Sequence, residues 1–372
     1  MIILLLIPIA QAALLSSAIT FRHGARASYY KYSWDTATWP QGLQELTPAG
    51  MRQHYLNGVQ LRQRYIIDQS FLKPNYDSTE IYVRSTDVNR TIMSAESLLT
   101  GLYPNGPKIA NANLQKAVPP IQINGLPDIQ AKLGNYALPI KRQPIPIHVV
   151  EMKHDTMLYA FGDSCPRFDQ LYNDIPNTQA YQEKVTEYIN SGLQAQVNEI
   201  FNTNASYEDA SNFGDTMVCE LFDGFPLPEG VTYEIYMELI GMYNYTNTYY
   251  FTPEGAALSS TEFFKTIIQQ FNMTILNEPT VKLSLYSAHD TTLAGFLIFL
   301  GVWDGWNPLF ASTLIFELYG ENGGYFVSII YNDNVLTLPG CVEMCPFDEF
   351  VSIIEPNLIK NMTLGCQKQK PQ

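Results

Sequence analysis

Short apolar runs that alternate with helical stretches are the feature of this sequence that most constrains its fold. Six runs, rich in β-branched and aromatic residues and bounded by turn residues, have the length and composition of buried strands. They cover residues 14–21, 81–83, 145–150, 281–286, 314–319 and 325–331. Helical patterns begin at Pro48, at about Asn89 and after His289. This alternation of strand and helix predicts an α/β core in which most strands are parallel.

The middle of the chain has a different pattern, which predicts an insertion. Residues 155–273 contain long polar and aromatic helical segments and few strand-like runs. The clearest of these helical segments are 180–201 and 231–243. A hairpin turn signal at 320–324 makes the sheet mixed rather than wholly parallel. We therefore predict a mixed, largely parallel central sheet flanked by helices, formed by 13–154 and 274–372, with a mostly helical cap inserted at 155–273.

The N-terminal residues have the pattern of a secretory signal. The apolar run in residues 1–12, MIILLLIPIAQA, is too short to span a bilayer and ends in Ala10-Gln11-Ala12, a sequence typical of signal-peptidase sites. A buried strand at residues 2–9 is the alternative. We predict a signal peptide at 1–12, and hence a secreted or lysosomal protein. No later run approaches about 18 apolar residues, so we expect no membrane anchor after cleavage.

The charge balance limits the partners of the chain. Its 372 residues carry a formal net charge of -14. Proteins that bind nucleic acid use clustered lysine and arginine against the phosphate backbone, so we predict no nucleic-acid partner. An acidic chain that binds an anion needs a local group of arginines, and the sequence Arg22-His23-Gly24-Ala25-Arg26 supplies one.

Three predicted strands end at arginine, histidine or aspartate residues. These residues are Arg22, His23 and Arg26 after the first strand, Arg84 after the second, and His289 and Asp290 after the strand at 281–286. Ligands of open α/β sheets bind just beyond the carboxyl ends of the strands. If these three strands are parallel neighbours, three arginines, two histidines and an aspartate meet at one place.

Such a group of residues fits a phosphate. Guanidinium groups match phosphate oxygens and stabilise the charge of phosphoryl transfer without a metal. Arginines beside His23 disfavour its imidazolium form, so a neutral, nucleophilic nitrogen persists at acidic pH. Asp290 is placed to protonate the leaving alkoxide, because the charge of a bound phosphate raises the pKa of a neighbouring carboxyl group. We therefore predict His23 as a covalent nucleophile, Asp290 as proton donor, and a preference for acidic pH.

Each of these residues also has a plain structural interpretation. Arg22 and Arg84 would then form ion pairs with carboxylates such as Asp87. Isolated histidines are usually hydrogen-bonded structural residues, and we interpret His54, His154 and His148 in this way, with His148 in the core. The coincidence of three strand ends favours the catalytic interpretation of the arginines and of the other two histidines.

Three motifs identify the family that this sequence resembles. They are Arg22-His23-Gly24-Ala25-Arg26, Arg84-Ser85-Thr86-Asp87-Val88-Asn89-Arg90-Thr91 and Tyr286-Ser287-Ala288-His289-Asp290-Thr291-Thr292. In this order they resemble the histidine acid phosphatases, the secreted and lysosomal branch of the histidine phosphatase superfamily. The resemblance covers about residues 14–366. It implies an α/β core with a helical cap and a reaction that needs no metal and no other cofactor.

The resemblance also implies roles for individual residues. His23 would carry the phosphoryl group, and Asp290 would donate the proton. The phosphate-binding residues would be Arg22, Arg26, Arg84 and His289. The first motif departs from the family pattern at Ser28, where proline is usual, so we expect a less rigid loop without loss of activity.

The five cysteines fit the oxidising compartment that a signal peptide implies. Cys341 and Cys345 are close enough in sequence to form a small loop. The resemblance implies that Cys165 pairs with Cys366 and that Cys341 pairs with Cys345. Cys219 then lacks its usual partner, so we predict a free thiol that is either buried or available to a second chain. A homodimer is possible on the same resemblance.

Glycosylation sequons are consistent with a secreted glycoprotein. We predict glycosylation at Asn204, Asn244, Asn272 and Asn361. A fifth sequon, at Asn89, lies inside the second motif and next to the predicted site. We therefore do not expect Asn89 to carry a glycan.

The favoured function is hydrolysis of small phosphate monoesters at acidic pH through a phosphohistidine. A phytase or another inositol-polyphosphate phosphatase is one alternative, although such a highly charged substrate needs a basic cap and residues 155–273 are not basic. A mutase also uses an Arg-His-Gly motif, but the signal peptide and the cysteines argue against a cytosolic enzyme. The alternative from another class is a catalytically silent secreted glycoprotein that uses the fold for binding.

Overall fold

The computed structural model of the protein describes residues 12–369. The predicted signal peptide, 1–12, lies outside the described residues except for Ala12. The described chain contains eight strands in one mixed sheet. In chain order they are β1 (Ala13–Arg22), β2 (Ile81–Thr86), β3 (His148–Val150), β4 (Leu283–Ala288), β5 (Thr313–Glu321), β6 (Gly324–Tyr331), β7 (Asn334–Leu336) and β8 (Cys345–Pro346).

Four parallel strands lie side by side in one half of this sheet. The strand order is β3-β2-β4-β1-β5-β6-β7, and β8 also pairs with β6. β4 is parallel to both β1 and β2, and β3 is parallel to β2. The strands from β5 onward are antiparallel to their neighbours. The predicted α/β fold with a mixed sheet is confirmed, and the carboxyl ends of β1, β4 and β2 share one edge of it.

The described residues form twelve α-helices. They are α1 (Pro48–Arg62), α2 (Asn89–Leu102), α3 (Leu126–Leu133), α4 (Pro166–Asp174), α5 (Gln179–Asn190), α6 (Leu193–Phe201), α7 (Tyr207–Phe222), α8 (Tyr233–Thr248), α9 (Pro253–Ile275), α10 (Asp290–Phe299), α11 (Phe347–Ile354) and α12 (Met362–Gly365). A π-helical segment at Gln63–Asp68 continues α1. Among these helices none combines the length and the apolar character needed to cross a membrane.

Two apolar clusters cover the two faces of the sheet. One contains Phe263 and Phe271 of α9 together with Phe296 of α10. The other contains Leu61 of α1 and Leu98 of α2. Because both faces are covered, β1 and β4 are buried on both sides rather than alternating between core and solvent.

Helices α4 to α8 pack around a third apolar cluster, which includes Phe168, Phe213 and Leu239 and also contains Ala256 and Leu258 from the start of α9. Most of helix α9 lies inside the predicted cap interval, 155–273, but the helix packs against the sheet from Phe263 onward. The cap boundaries stay a prediction, and these contacts favour a boundary within α9, between Leu258 and Phe263. The predicted helix 180–201 is interrupted between α5 and α6, where Gly192 adopts a positive φ of 81°.

Both disulfides implied by the resemblance are present. Cys165, just before α4, is bonded to Cys366 near the C-terminus, and Cys341 is bonded to Cys345. Cys219 on α7 is free and buried. Because its thiol is fully buried, Cys219 is not available to a second chain.

The three histidines interpreted as structural differ in their surroundings. His154 is exposed, and its Nε2 lies 3.8 Å from Glu151 Oε2. His54 on α1 is fully buried, and its Nε2 lies 3.0 Å from the backbone oxygen of Arg22. The interpretation of His148 as a core residue is wrong. His148 is exposed and stacks on Tyr82 with 5.1 Å between ring centroids. The physical reason is its strand, because β3 is the edge of the sheet.

The predicted glycosylation sites also differ from one another. Asn204, Asn272 and Asn361 are exposed. Asn244 on α8 instead donates from Nδ2 to the backbone oxygen of Gly305 at 2.6 Å. A glycan on this nitrogen would have to break that hydrogen bond, so the structure argues against Asn244.

Candidate active site

A cavity of about 480 Å³ lies beyond the carboxyl ends of β1, β2 and β4. Its lining includes His23, Arg26, Arg90, His289 and Asp290. Cap helices α7 and α8 also contribute lining residues, and aromatic side chains form much of the wall. The predicted convergence of strand ends is therefore present, although the arginines among the described lining residues are Arg26 and Arg90 rather than Arg22, Arg26 and Arg84.

Backbone hydrogen bonds hold His23 at the end of β1. Its N–H donates to the oxygen of Ala288 at 2.9 Å, which ties this turn to the end of β4. Its Nδ1 lies 2.8 Å from the oxygen of Gly24. Because a carbonyl can only accept, Nδ1 carries the proton and Nε2 keeps a free lone pair. Burial first, and then the charges of Arg90 and Arg22, lower the pKa of His23 well below 6.5, so the ring is neutral even in acid.

Gly24 lets the turn after β1 approach α1 closely. A Cβ at Gly24 would overlap the backbone of Gly50, in the first turn of α1. The N–H of Ala25 donates to Gln53 Oε1 at 2.8 Å, and the N–H of Thr47 donates to the oxygen of Ala25 at 2.9 Å. The loop that carries the histidine is thus fixed on the N-terminus of this helix.

Two predicted arginines contact buried carboxylates near His23. The Nη2 of Arg22 lies 2.8 Å from Asp290 Oδ2, and its guanidinium carbon lies 4.3 Å from the ring centroid of Phe310. The Nη2 of Arg26 lies 2.7 Å from Asp215 Oδ1. Both arginines are almost fully buried. Each cation is therefore compensated locally, as burial of a charge requires.

The end of β4 leads directly into α10, which places His289 at the helix N-terminus. His289 Nε2 lies 3.0 Å from Thr86 Oγ1, and Arg90 Nη2 lies 3.5 Å from its Nδ1. Since arginine can only donate, Nδ1 accepts and Nε2 donates to the threonine. Burial first, and then the charge of Arg90, lower the pKa of His289 to about 3. His289 is therefore a neutral hydrogen-bond partner in the cavity.

The carboxyl group of Asp290 is surrounded by donors. Its Oδ1 accepts from the N–H of Thr291 at 2.9 Å, and its Oδ2 accepts from the hydroxyl of Tyr243 at 3.2 Å. Burial on its own would raise the pKa of Asp290, but the charges of Arg22 and Arg26 lower it below its ordinary value. The carboxyl group is ionised in this arrangement. It needs the negative charge of a neighbouring phosphate to take up a proton.

The prediction that Arg84 binds phosphate is corrected by its surroundings. Its Nη2 contacts the fully buried carboxylate of Asp155, and its Nη1 lies 3.1 Å from Met157 Sδ. The reason is its position along β2, since Arg84 lies two residues before the strand end at Thr86. Two residues correspond to about 6.6 Å of strand. Arg84 is not among the described residues that line the cavity.

Arg90 takes the place that was predicted for Arg84. It lies in the first turn of α2, is 6% exposed, and lines the cavity. Its Nη2 donates to the Tyr29 hydroxyl at 2.8 Å, and its charge is a leading cause of the lowered pKa of both His23 and His289. The signal for Arg90 was present in the second motif, because a residue in the first turn after a strand faces the same edge as the strand end.

Within residues 12–369, one cluster of three side chains has the residue types and the proximity that could hold a metal ion. It consists of Cys341, Cys345 and Glu349. The two sulfur atoms form a disulfide with each other, so they are not thiolates and do not offer a zinc site.

Comparison with known proteins identifies the class. The model of the histidine phosphatase superfamily (branch 2) matches residues 12–332. The chain therefore belongs to this superfamily, as the three motifs predicted.

Individual relatives and solved structures show which members of the superfamily the chain is similar to. It is 34% identical to the lysosomal acid phosphatase of Bos taurus over 94% of this chain and 79% of that protein. It is 30% identical to the prostatic acid phosphatase of Mus musculus over 94% of this chain and 87% of that protein. Among solved structures it resembles the phytase of Citrobacter braakii, with a TM-score of 0.67 and 16% identity over 95% of this chain and 99% of that one. The predicted resemblance to the secreted and lysosomal branch of the superfamily is confirmed by these acid phosphatases, whereas the phytase likeness shows the fold alone.

Proposed function

We propose that this protein is a histidine acid phosphatase, a hydrolase of small phosphate monoesters that acts through a phosphohistidine at His23. The observation that carries the proposal is the position of His23. Its lone-pair nitrogen lies in a buried cavity with Arg26, Arg90 and Asp290, and its imidazole is neutral in acid. A neutral nucleophile among buried cations is what attack on a phosphate ester requires.

The residues suggest a reaction in two steps. First, Nε2 of His23 attacks phosphorus, a P–N bond forms, the P–O bond to the alcohol breaks, and Asp290 gives the leaving oxygen its proton. The guanidinium groups of Arg22, Arg26 and Arg90 balance the charge of the phosphoryl oxygens. Then water attacks phosphorus, the P–N bond breaks, and the Asp290 carboxylate takes up the proton of the water. This second step releases inorganic phosphate and restores both side chains.

The ionisation of Asp290 supports a preference for acidic pH. Arg22 keeps this carboxyl group ionised, and a bound phosphate competes for Arg22 while adding negative charge. Both effects raise the pKa of Asp290. A more acidic solution then increases the protonated fraction of Asp290 while His23 stays neutral. An activity optimum well above neutral pH would contradict this account.

The walls of the cavity favour simple monoesters over inositol polyphosphates. Aromatic side chains make up much of the described lining, namely Tyr29, Tyr30, Tyr159, Phe161, Tyr172, Tyr243 and Tyr250. Among the described lining residues, the lysines and arginines are limited to Arg26 and Arg90. The further phosphates of a polyphosphate would face aromatic walls without counter-ions, which is costly in a partly buried site. An alcohol with an aromatic ring fits these walls better.

We assign the protein to the secretory pathway or the lysosome. The predicted signal peptide, two disulfides and the names of the relatives support this location. The homodimer stays a prediction. A dimer would not be linked through Cys219, because that thiol is buried.

The test is hydrolysis of phenyl phosphate at about pH 5 in the presence of a metal chelator. We expect turnover by the wild type and a loss of at least about a thousandfold in His23→Ala, because the covalent route is removed. His154→Ala is the matched control, since His154 is exposed and should leave the rate unchanged. Inositol hexakisphosphate should be the poorer substrate. A folded wild type that turns over neither ester would contradict the proposal.

A further inference from the structure

One face of cap helix α7 is directed at a phosphate-binding arginine. Asp215 and Cys219 lie one helical turn apart, so both face the same way. The Asp215 carboxylate lies 2.7 Å from Arg26 Nη2, and the Cys219 sulfur lies 3.2 Å from Arg26 Nη1. The arginine belongs to the loop after β1, 189 residues away in sequence from Asp215. The contact therefore joins the cap to the catalytic loop.

The ion pair is almost completely shielded from water. The side chain of Arg26 is 2% exposed and that of Asp215 is 7% exposed. Burial on its own would lower the pKa of Arg26, but the Asp215 carboxylate raises it well above the ordinary value. The cation is kept in a buried position by this partner, because an unpaired buried guanidinium is strongly unfavourable.

The remaining contacts leave little rotational freedom to the guanidinium group. Arg26 Nη1 also donates to the oxygen of Ala27 at 3.2 Å, and the group lies over the ring of Tyr29 with 4.2 Å to the centroid. Burial raises the pKa of Cys219 to about 12, so its sulfur is a neutral thiol beside the arginine. Arg26 Nε has no hydrogen-bond partner among the described residues. Its Nη2 donates to Asp215 and carries a second N–H, so a donor remains for a phosphate oxygen in the cavity that Arg26 lines.

We propose that Asp215 is a positioning residue, which holds the guanidinium of Arg26 in the orientation that binds the phosphoryl group. The inference rests on the proposed phosphatase function, since it assigns Arg26 to the substrate phosphate. Asp215 itself carries a negative charge and does not bind the anion. Its effect on phosphate binding passes through Arg26.

This geometry makes the sign of the effect informative. If Asp215 acted only as a negative charge near the cavity, its removal would strengthen the binding of an anion. If it served only to attach the cap, its removal would lower the melting temperature and leave phosphate affinity unchanged. If it positions Arg26, its removal weakens phosphate binding. The three interpretations therefore predict three different results.

The experiment measures the dissociation constant of inorganic phosphate by calorimetry at pH 5, and kcat and KM for phenyl phosphate. We expect Asp215→Ala to raise the phosphate dissociation constant and KM by about tenfold to a hundredfold, with a smaller change in kcat. Asp215→Asn keeps the oxygen acceptor and the shape of the side chain, so we expect an intermediate increase. Glu208→Gln is the control, because it removes one negative charge from the exposed face of the same helix.

Each outcome bears on one proposal. Phosphate affinity that is unchanged or stronger in folded Asp215→Asn overturns the positioning role, even if the alanine variant does not fold. If the wild type binds phosphate but hydrolyses no monoester, the proposed function fails while the positioning role is still measured by phosphate binding. Wild-type turnover with unaltered affinity in both variants overturns the positioning role alone.

Discussion

Replacement of Glu220 by glutamine should remove a pH dependence from the stability of the protein. Glu220 on α7 is 3% exposed, and Asp35, in the loop between β1 and α1, is 7% exposed. Asp35 Oδ1 accepts from the N–H of Ala37 and from Lys31 Nζ, whereas Asp35 Oδ2 and Glu220 Oε1 are buried with no donor among the described residues. Two such carboxyl groups are compatible only if they share a proton.

The shared proton sets the direction and the size of the effect. Burial, and then the hydrogen bond to Asp35, raise the pKa of Glu220 from 4.5 to about 8. A carboxyl group whose pKa is raised by folding contributes stability that is fully present below pH 4.5 and is lost as pH rises toward 8. Because each tenfold change in proton affinity is worth about 1.4 kcal/mol, the loss for this pair is at most about 5 kcal/mol. For a chain of this length that corresponds to a decrease of about 6 °C in the melting temperature.

The assay is thermal unfolding at intervals between pH 4.5 and 8. The amide of Glu220→Gln can donate to Asp35 at every pH, so we expect its melting temperature to change little over this range. The variant should be close to the wild type near pH 4.5 and more stable than it at pH 8. Glu199→Gln, which removes an exposed carboxylate, should follow the wild type. Parallel curves for the wild type and Glu220→Gln would refute the shared proton.

Three further substitutions test the residues around the proposed nucleophile. Arg90→Ala should lower kcat/KM for phenyl phosphate by about a hundredfold or more, because a phosphate-binding cation is lost. Arg84→Ala should mainly lower the melting temperature, because Asp155 is then left buried and unpaired. A larger loss of kcat/KM in Arg84→Ala than in Arg90→Ala would contradict the assignment of Arg90 to the phosphate. Tyr243→Phe removes a hydrogen-bond donor to ionised Asp290, and loss of this donor raises the pKa of the carboxyl group. The alkaline limb of the pH–rate profile should therefore move to higher pH by up to about one pH unit. An alkaline limb that stays in place or moves to lower pH would show that the hydroxyl does not act on the carboxyl group.

The strand ends could be predicted from the sequence because the signals are local. A β-branched run followed at once by His23, or by His289 and Asp290, shows both the strand and the edge at which it ends. The prediction that β1 and β4 are neighbours required only the assumption of a parallel α/β sheet. The break before α6 was missed. Glycine also occurs inside helices, so Gly192 alone does not mark a helix end, and its positive φ is a property of the folded backbone.

The remaining residues of the site depend on contacts that no local pattern records. The choice between Arg84 and Arg90 depends on where β2 ends and α2 begins, within a few residues of one motif. Asp215 and Tyr243 come from the cap, and each meets its partner across a long interval of chain. In the sequences of α7 and α8, nothing about the positions of these two residues distinguishes them from other polar residues of a helix. Only the packing of the cap on the sheet shows which of these polar groups face the cavity.

The disulfide between Cys165 and Cys366 closes a covalent ring between two cysteines that are 201 positions apart in sequence. The ring encloses most of the cap, β4 and the helix that begins at Asp290. A single peptide-bond cleavage inside it opens the ring without dividing the protein, because the two fragments remain joined through sulfur. Loss of either fragment requires a second cut or a reducing agent. In a compartment that is oxidising and rich in proteases, one nick in the cap therefore leaves the parts of the active site on a single covalent molecule.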